Sequence, residues 1–508
     1  MKASFLKLIC VVSAVSLCVG RLPAQETSEI EQLKKEMREM RKYMQELERK
    51  IEKLEAKPAA APPVAGVVVA PVVEPVTGIA EPTKAWSPTD PIRIGKGGIY
   101  ADIGLVATFA AGGSTANDIE GGTQLGGHDP NQRGFTVQGV EMNLQGAVDP
   151  YLRGNANILF SIDSGGESFL EVEEAWLETV SLPGNFQIRA GQILTDFGRI
   201  NTQHPHSWAF VDSPLVNARL LGPDGLRNPG ARISWLVPTP FFSELSLGIQ
   251  NSHGETASSF RSAAHSHGGE AEEGLPFGYR HPDNDRGVQG FGDLLFTPRL
   301  TTSFDLTEQQ TIVLGASGAF GPNSSGAGGD TTTQIYGVDV YWKWKPANAH
   351  GGFPFVSWQT EAMLRRYQLG MFDWDENGDG LVDDGEVVDP GTGLPAMLAA
   401  ETVTDWGFYS QVLYGFRKGW VAGIRFDYLT GETADYETLG LTLDGNALGR
   451  DPLRNQRWRV SPNLTWYPSE FSKVRLQYNY DDRRDIGVDH SLWLQFEFLL
   501  GAHAAHKF

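Results

Sequence analysis

The most specific chemical signal in this 508-residue chain is the run Asp375-Glu376-Asn377-Gly378-Asp379-Gly380-Leu381-Val382-Asp383-Asp384-Gly385-Glu386. Calcium is a hard cation that collects oxygen ligands, and a twelve-residue loop supplies them at fixed offsets. Asp375, Asn377 and Asp379 stand at the first, third and fifth positions. Leu381 offers its carbonyl, Asp383 a ligand at the ninth position and Glu386 a bidentate carboxylate at the twelfth, with Gly380 at the sharp turn. The run is expected to bind calcium and to stiffen a surface loop. An ordinary acidic loop is the alternative.

His265, His267 and Glu270, followed by Glu272 and Glu273, form a second cluster of metal-binding residue types. Imidazole and carboxylate together suit zinc. The spacing is not that of a closed site, so a weak, exposed zinc patch is the most it implies. A third concentration of charge lies in residues 193–228, where Arg199, His204, His206, Arg219 and Arg227 accompany Asp196, Asp212 and Asp224. Opposed charges around a narrowing select which ions pass, and this segment is the expected pore constriction. The chain has no GxSxG elbow, no HExxH pair and no phosphate-cradling glycine loop, so no enzymatic activity is expected. Its two cysteines, Cys10 and Cys18, both fall in the first 25 residues. The remainder can build neither a disulfide nor a thiolate metal site.

What must position these groups is read from periodicity. From about Gly98 onward apolar and polar residues alternate, as they do in a strand with one dry face and one wet face. About sixteen segments read as strands, beginning near Gly98, Gly134, Leu152, Phe169, Phe186, Gly230, Glu244, Asp293, Thr311, Thr333, Phe355, Thr404, Gly419, Arg457, Lys473 and His490. Trp406, Phe408, Val412, Tyr414 and Phe416, for example, alternate with Gly407, Tyr409 and Gln411. Trp and Tyr recur at strand ends, and short connections mostly alternate with long ones. These features favour an all-β transmembrane barrel of about sixteen antiparallel strands over a soluble sandwich. The barrel must be closed, because an open sheet edge in hydrocarbon leaves backbone groups unsatisfied.

Alternation directs Arg153, Arg189, Arg365, Arg425, Arg457, Arg459, Lys473 and Arg475 toward the lumen, together with Glu141, Asp339, Glu361, Asp427 and Glu497. An arginine ladder would draw oxyanions. The interleaved acids point instead to a mixed, weakly selective pore. The anion or cation preference and the solute stay open.

The N-terminal part is organised differently. Residues 1–25 read as a secretory signal with basic Lys2 and Lys7 and an apolar run too short to span a bilayer. Residues 26–57 carry an α-helical coiled coil whose seam is Ile30, Leu33, Met37, Met40, Met44, Leu47, Ile51 and Leu54. Residues 58–90, rich in Pro, Ala and Val, read as a semi-rigid linker. The barrel is assigned to residues 91–508, with the EF-hand-like run 375–386 in an outer loop. Removing Lys2, Lys7 and Arg21 with the signal takes the net charge from −20 to −23, which argues against nucleic-acid binding.

The stretches GQILTDFGRINTQHPHSW and FVDSPLVNARLLGPDGLRNPGARISWLVP, within residues 191–238, and the final HSLWLQFEFLLGAHAAHKF together resemble Gram-negative outer-membrane porins of the phosphate-selective kind. Within that kind the chain is most similar to porin-like sequences with His-rich loops, often labelled zinc-regulated or TonB-dependent receptors. The resemblance implies a passive diffusion channel for small hydrophilic solutes or ions, an inward-folded third outer loop and a homotrimer in outer-membrane lipid. It also implies an assembly signal at Phe508 read by the barrel assembly machinery. The coiled coil would lie in the periplasm and could reach peptidoglycan. Two other functions are weighed: metal uptake through the His-rich loop, and an envelope tether. A plugged receptor fits poorly, because only a coil and a linker precede the strands.

Overall fold

The computed structural model describes residues 92–96, 99–147, 149–261, 276–282, 287–326 and 330–501. The expected signal, coiled coil and linker, the cluster of His265, His267 and Glu270, and Phe508 lie outside the described residues. The C-terminal compact unit, Lys84–Phe508, is a closed antiparallel barrel of sixteen strands.

In chain order the first eight strands are β1 (Ile99–Ser114), β2 (Gly134–Ala147), β3 (Leu152–Ile162), β4 (Ser168–Thr179), β5 (Phe186–Leu194), β6 (Arg227–Leu236), β7 (Phe242–Asn251) and β8 (Leu294–Thr307). The second eight are β9 (Gln310–Pro322), β10 (Thr332–Trp344), β11 (Phe355–Leu369), β12 (Glu401–Arg417), β13 (Trp420–Gly431), β14 (Arg457–Ser469), β15 (Ser472–Arg483) and β16 (Gly487–Gly501). Every start expected from the sequence lies within three residues of the observed one. β1 pairs with β2 along one edge and with β16 along the other, where Gly104 faces Gly501 and Ser114 faces Ser491. That pairing removes the open edge. A short leading strand, Ile92–Lys96, folds back on the start of β1, with Ile92 opposite Ile103, and continues the seam beyond the end of β16.

The strands form because their alternation matches two different surroundings. On β12, Asp405, Tyr409 and Gln411 are buried inside, while Trp406, Val412, Tyr414 and Phe416 face outward. Leu170, Val172 and Leu177 on β4, Val338 on β10 and Ile424 on β13 are likewise exposed on the outer face. An apolar sheath of this extent is unstable in water and is what a lipid-facing barrel presents. Aromatic rings gather at both ends of the strands. Trp420 stacks on Trp466 at 5.8 Å near one rim. Trp406 meets Tyr428 at 5.3 Å, and Trp458 meets Tyr480 at 5.1 Å, toward the other.

The rim that carries Trp420 is closed by short turns, and the opposite rim carries the long loops. Two connections on the long-loop rim, 163–167 and 484–486, are short. Segments 276–282, 370–400 and 432–456 share an apolar core that includes Tyr279, Trp374, Val387, Leu398, Tyr436 and Leu441. They form a cap with a small sheet of Val387–Asp389, Leu394–Pro395, Thr442–Leu443 and Asn446–Ala447. The acidic run 375–386 sits on this cap.

The largest apolar core lies inside the barrel. Phe197, Ile200, Leu215, Val216, Leu220 and Leu221, all from the connection between β5 and β6, pack against Leu295, Ala319, Ile335, Met363, Tyr409 and Leu429 on the wall. A connection this apolar gains by burial, and it finds these apolar wall residues on the inside of its own barrel.

Candidate functional site

Residues 195–226 fold into the lumen and cross it. Asn201 holds the two legs of this inner loop together: its side chain donates to the carbonyls of Thr195 at 2.8 Å and Leu226 at 2.9 Å, and accepts from the Leu226 amide at 2.8 Å. Pro214 precedes a short helix α1 (Leu215–Leu221), which stops at Gly222 with φ 106°. Six of its seven residues are buried. Gly337 on β10 leaves room for the loop: a Cβ there would stand 2.7 Å from the Phe197 ring.

The loop is tied to the wall on every side. Gly198 donates its amide to Ser317 on β9 at 3.1 Å, and Ile200 donates to Glu361 on β11 at 2.9 Å. Lys473 and Arg475 on β15 donate to the carbonyls of His206 and Trp208 at 2.7 and 2.9 Å. Asn463 on β14 donates to the Ala209 carbonyl at 2.8 Å. Asp212 accepts from Arg425 at 2.6 Å, Arg459 at 3.1 Å, and Gln477 and Asn479 at 2.9 Å each. Burial raises the Asp212 pKa, but the Arg425 and Arg459 guanidinium groups outweigh it and hold the carboxyl below its ordinary value. Asp129, on the first outer loop, accepts from the Ser213 amide at 2.7 Å. Burial, then the charge of Asp212, pushes its pKa up to about 7.

The other charges of the segment are held by the wall or by the outer loops. Arg199 lies over the Tyr341 ring at 4.2 Å. Arg219 donates to the Asn455 carbonyl at 2.8 Å, and burial, then Arg457, lowers its pKa to about 10, so it remains a cation at neutral pH. Arg227 pairs with Glu171 and lies 3.7 Å from Glu173. Asp224 lies 3.7 Å from His128. The sequence predicts opposed charges around a narrowing. Each of these charges has a partner on the wall or on an outer loop, because a charge removed from water is tolerated only when paired.

His204 and His206 meet a group of carboxylates. His204 Nδ1 is 3.1 Å from Glu173 and 3.5 Å from Glu141, and its Nε2 is 3.0 Å from Glu174. His206 Nδ1 is 2.9 Å from Glu141. Burial works against charge on His204, but Glu141 and Glu173 outweigh it and raise the imidazole pKa well above its ordinary value. Glu173 and Glu174 were not singled out in the sequence. Their adjacency in Glu171-Val172-Glu173-Glu174 breaks the period of two, which was the available signal.

The expected lumen residues face the interior, and they are paired. Arg365 donates to Asp405 at 2.6 and 2.9 Å. Arg425 donates to Asp427 at 2.8 Å. Arg457 and Arg459 share Asp481 at 2.5 and 2.6 Å. Arg153 and Arg189 share Glu178. Arg475 donates to Gln495 at 2.8 Å. Glu361 accepts from the Tyr409 hydroxyl at 2.5 Å.

The inner loop divides the lumen. Toward the long-loop rim lies a cavity of about 430 Å³ lined by Arg219, Arg365, Tyr367, Arg457 and Arg483. Toward the short-turn rim lie cavities of about 400 Å³, beside Arg199, Lys343 and Lys473, and about 480 Å³, beside Arg153, Glu174 and His204. The spaces beside His204 and His206 measure only about 30 and 20 Å³, room for one or two waters each.

In the cap, Gly380 donates its amide to Asp375 at 3.0 Å, Asp379 to Asn377 at 2.8 Å and Leu381 to Asp379 at 2.8 Å. Gly378 and Gly380 take φ of 73° and 71°.

No protein-family model matches the chain. A protein of Aquifex aeolicus described as uncharacterized is 29% identical over 402 residues, which covers 75% of this chain and 73% of that one. Among solved structures, the outer membrane channel DcaP of Acinetobacter baumannii is 13% identical with a TM-score of 0.45, and the match covers 79% of this chain and 97% of that one. OmpT of Vibrio cholerae is 8% identical with a TM-score of 0.43, over 80% of this chain and 99% of that one. OprB of Pseudomonas putida is 11% identical with a TM-score of 0.41, over 79% of this chain and 94% of that one.

Proposed function

We propose that this chain is an outer-membrane porin through which small hydrophilic solutes or ions diffuse passively, with residues 195–226 as its constriction. The carrying observation is a closed barrel, apolar outside and charged inside, whose own loop narrows the lumen and leaves cavities on both sides of it. The long-loop rim faces the exterior and the short-turn rim the periplasm, the usual barrel orientation. Acids and bases are paired along the lumen, so selectivity is weak. The heptad of residues 30–54 supports a homotrimer with a periplasmic coiled coil. In proteoliposome swelling, the purified chain should admit small sugars at rates that fall with solute size. Replacing residues 202–222 by a short Gly-Ser linker should raise every rate. A folded barrel that admits no solute with the loop removed would refute the channel.

The outer cap is a calcium site in the same reading. The acidic run supplies five side chains and one carbonyl at the required offsets, and extracellular loops of this kind bind at roughly 10⁻⁴ to 10⁻³ M. The ion would order the cap.

A further inference from the structure

On β4 the alternation slips by one residue. Asn157 of β3 pairs with Glu174 and its neighbour Ile158 with Val172, so Glu173 is the extra residue of a β-bulge. Leu170 and Val172 before it, and Leu177 after it, point outward. Without the bulge Glu174 would face lipid. With it, Glu173 and Glu174 both turn inward, 2% and 8% exposed, and both meet His204. Bulges re-aim side chains in this way, and they cluster at functional sites. A sheet needs no such arrangement for its own stability, and three buried carboxylates around two imidazoles are costly to assemble.

The spacing fits a metal ion. Zinc held at ~2.0–2.1 Å in a tetrahedron keeps its ligand atoms roughly 3.3–3.4 Å apart. His204 Nδ1 lies 3.1 Å from Glu173 Oε2 and 3.5 Å from Glu141 Oε1, and the three ligand atoms lie within 4.8 Å of one another. Behind them, His204 Nε2 lies 3.0 Å from Glu174 Oε2. Glu174 also accepts from the Trp176 indole at 3.0 Å. A carboxylate behind the second nitrogen is how a metal-binding histidine is fixed in its tautomer. Glu173 and His204 line a space of about 30 Å³, and Glu174 and His204 also border the 480 Å³ cavity on the short-turn side.

We propose that Glu141, Glu173 and His204 bind a zinc-class divalent cation inside the barrel, and that the ion clamps the inner loop to β2 and β4. One imidazole with carboxylates favours a borderline transition metal over calcium or magnesium, which take oxygen alone. The ion takes the place of the proton on Nδ1, and Glu174 orients the ring. This site is assigned without any residue of the His265, His267 and Glu270 cluster, and it stands whether or not the barrel conducts.

The test uses the full chain in detergent, stripped with a chelator, in a His265→Ala, His267→Ala background that removes the other histidine pair. Calorimetry with zinc should give one equivalent per chain, and cobalt(II) should develop the visible bands of a four-coordinate site. His204→Gln and Glu173→Gln, each checked for barrel folding by heat-modifiable migration, should each abolish the cobalt bands. Glu174→Gln should keep the bands and weaken binding roughly 10–100-fold. Zinc should also slow amide exchange in residues 199–208. If zinc stoichiometry and cobalt spectrum are the same in the His204→Gln and Glu173→Gln variants, or if no metal binds, the cluster is an imidazolium held between carboxylates and the proposal fails.

Discussion

Asp212 on the inner loop and Arg425 on β13 meet in a fully buried ion pair, with the guanidinium donating to Oδ1 at 2.6 Å. Asp212 Oδ2 lies 3.1 Å from Arg459 as well, so one loop carboxylate bridges two wall arginines, whose other partners are Asp427 and Asp481. Removing one partner of a buried pair leaves an uncompensated charge and costs about 3–5 kcal/mol. Asp212→Ala should therefore release the loop rather than unfold the barrel. Limited proteolysis should cut residues 195–226 in the variant and spare them in the parent. Equal protection in both would show that the apolar face of α1 alone seats the loop.

Asp129 gives the account a pH dependence. Its folded-state pKa, near 7, stands above its unfolded value of 3.8, so the native state holds an extra proton between those values. That contribution is complete below about pH 4 and is lost as pH rises through 7. The contact between the first outer loop and Ser213 should loosen from pH 6 to pH 8, read as faster amide exchange near residues 126–129 and 213. Asp129→Asn cannot ionise and should lose this step. A step of the same size in the Asn variant would assign it to another group.

The outer face predicts assembly. Ile424 is 52% exposed on the face that we assign to lipid. Ile424→Arg should cost about 2–4 kcal/mol near the midplane of a bilayer, seen as a lower yield of heat-modifiable barrel in lipid refolding. Gln411→Arg, on the inner face of β12, should refold more nearly like the parent. Equal yields would place Ile424 away from lipid.

For the acidic run, calorimetry on the intact barrel should show a calcium event per chain that Glu386→Gln abolishes, with the cap then more open to proteolysis between residues 370 and 400. If millimolar calcium leaves melting and proteolysis of the cap unchanged, the run is a solvated acidic turn.

The strands were legible because each face of a barrel wall meets one solvent, so a period of two survives in Trp406, Phe408, Val412 and Tyr414. The inward set from Arg365 to Arg475 was legible for the same reason. The salt bridges were not, because partners such as Arg459 and Asp212 are distant in sequence and meet only when the loop folds inward. Glu174 was hidden by the bulge, which moves it to the face opposite to the one alternation assigns. The cap could not be read either, since its core joins Tyr279, Trp374 and Tyr436 from three separate loops.

Single-channel recording in planar bilayers tests the central claim most directly, by comparing the intact chain with the variant in which residues 202–222 are replaced by a Gly-Ser linker. The account predicts discrete ohmic steps for the intact chain, a reversal potential near zero in a salt gradient, and steps severalfold larger once the loop is gone. Silence from both folded proteins, or equal steps from both, would contradict a channel whose waist is set by that loop.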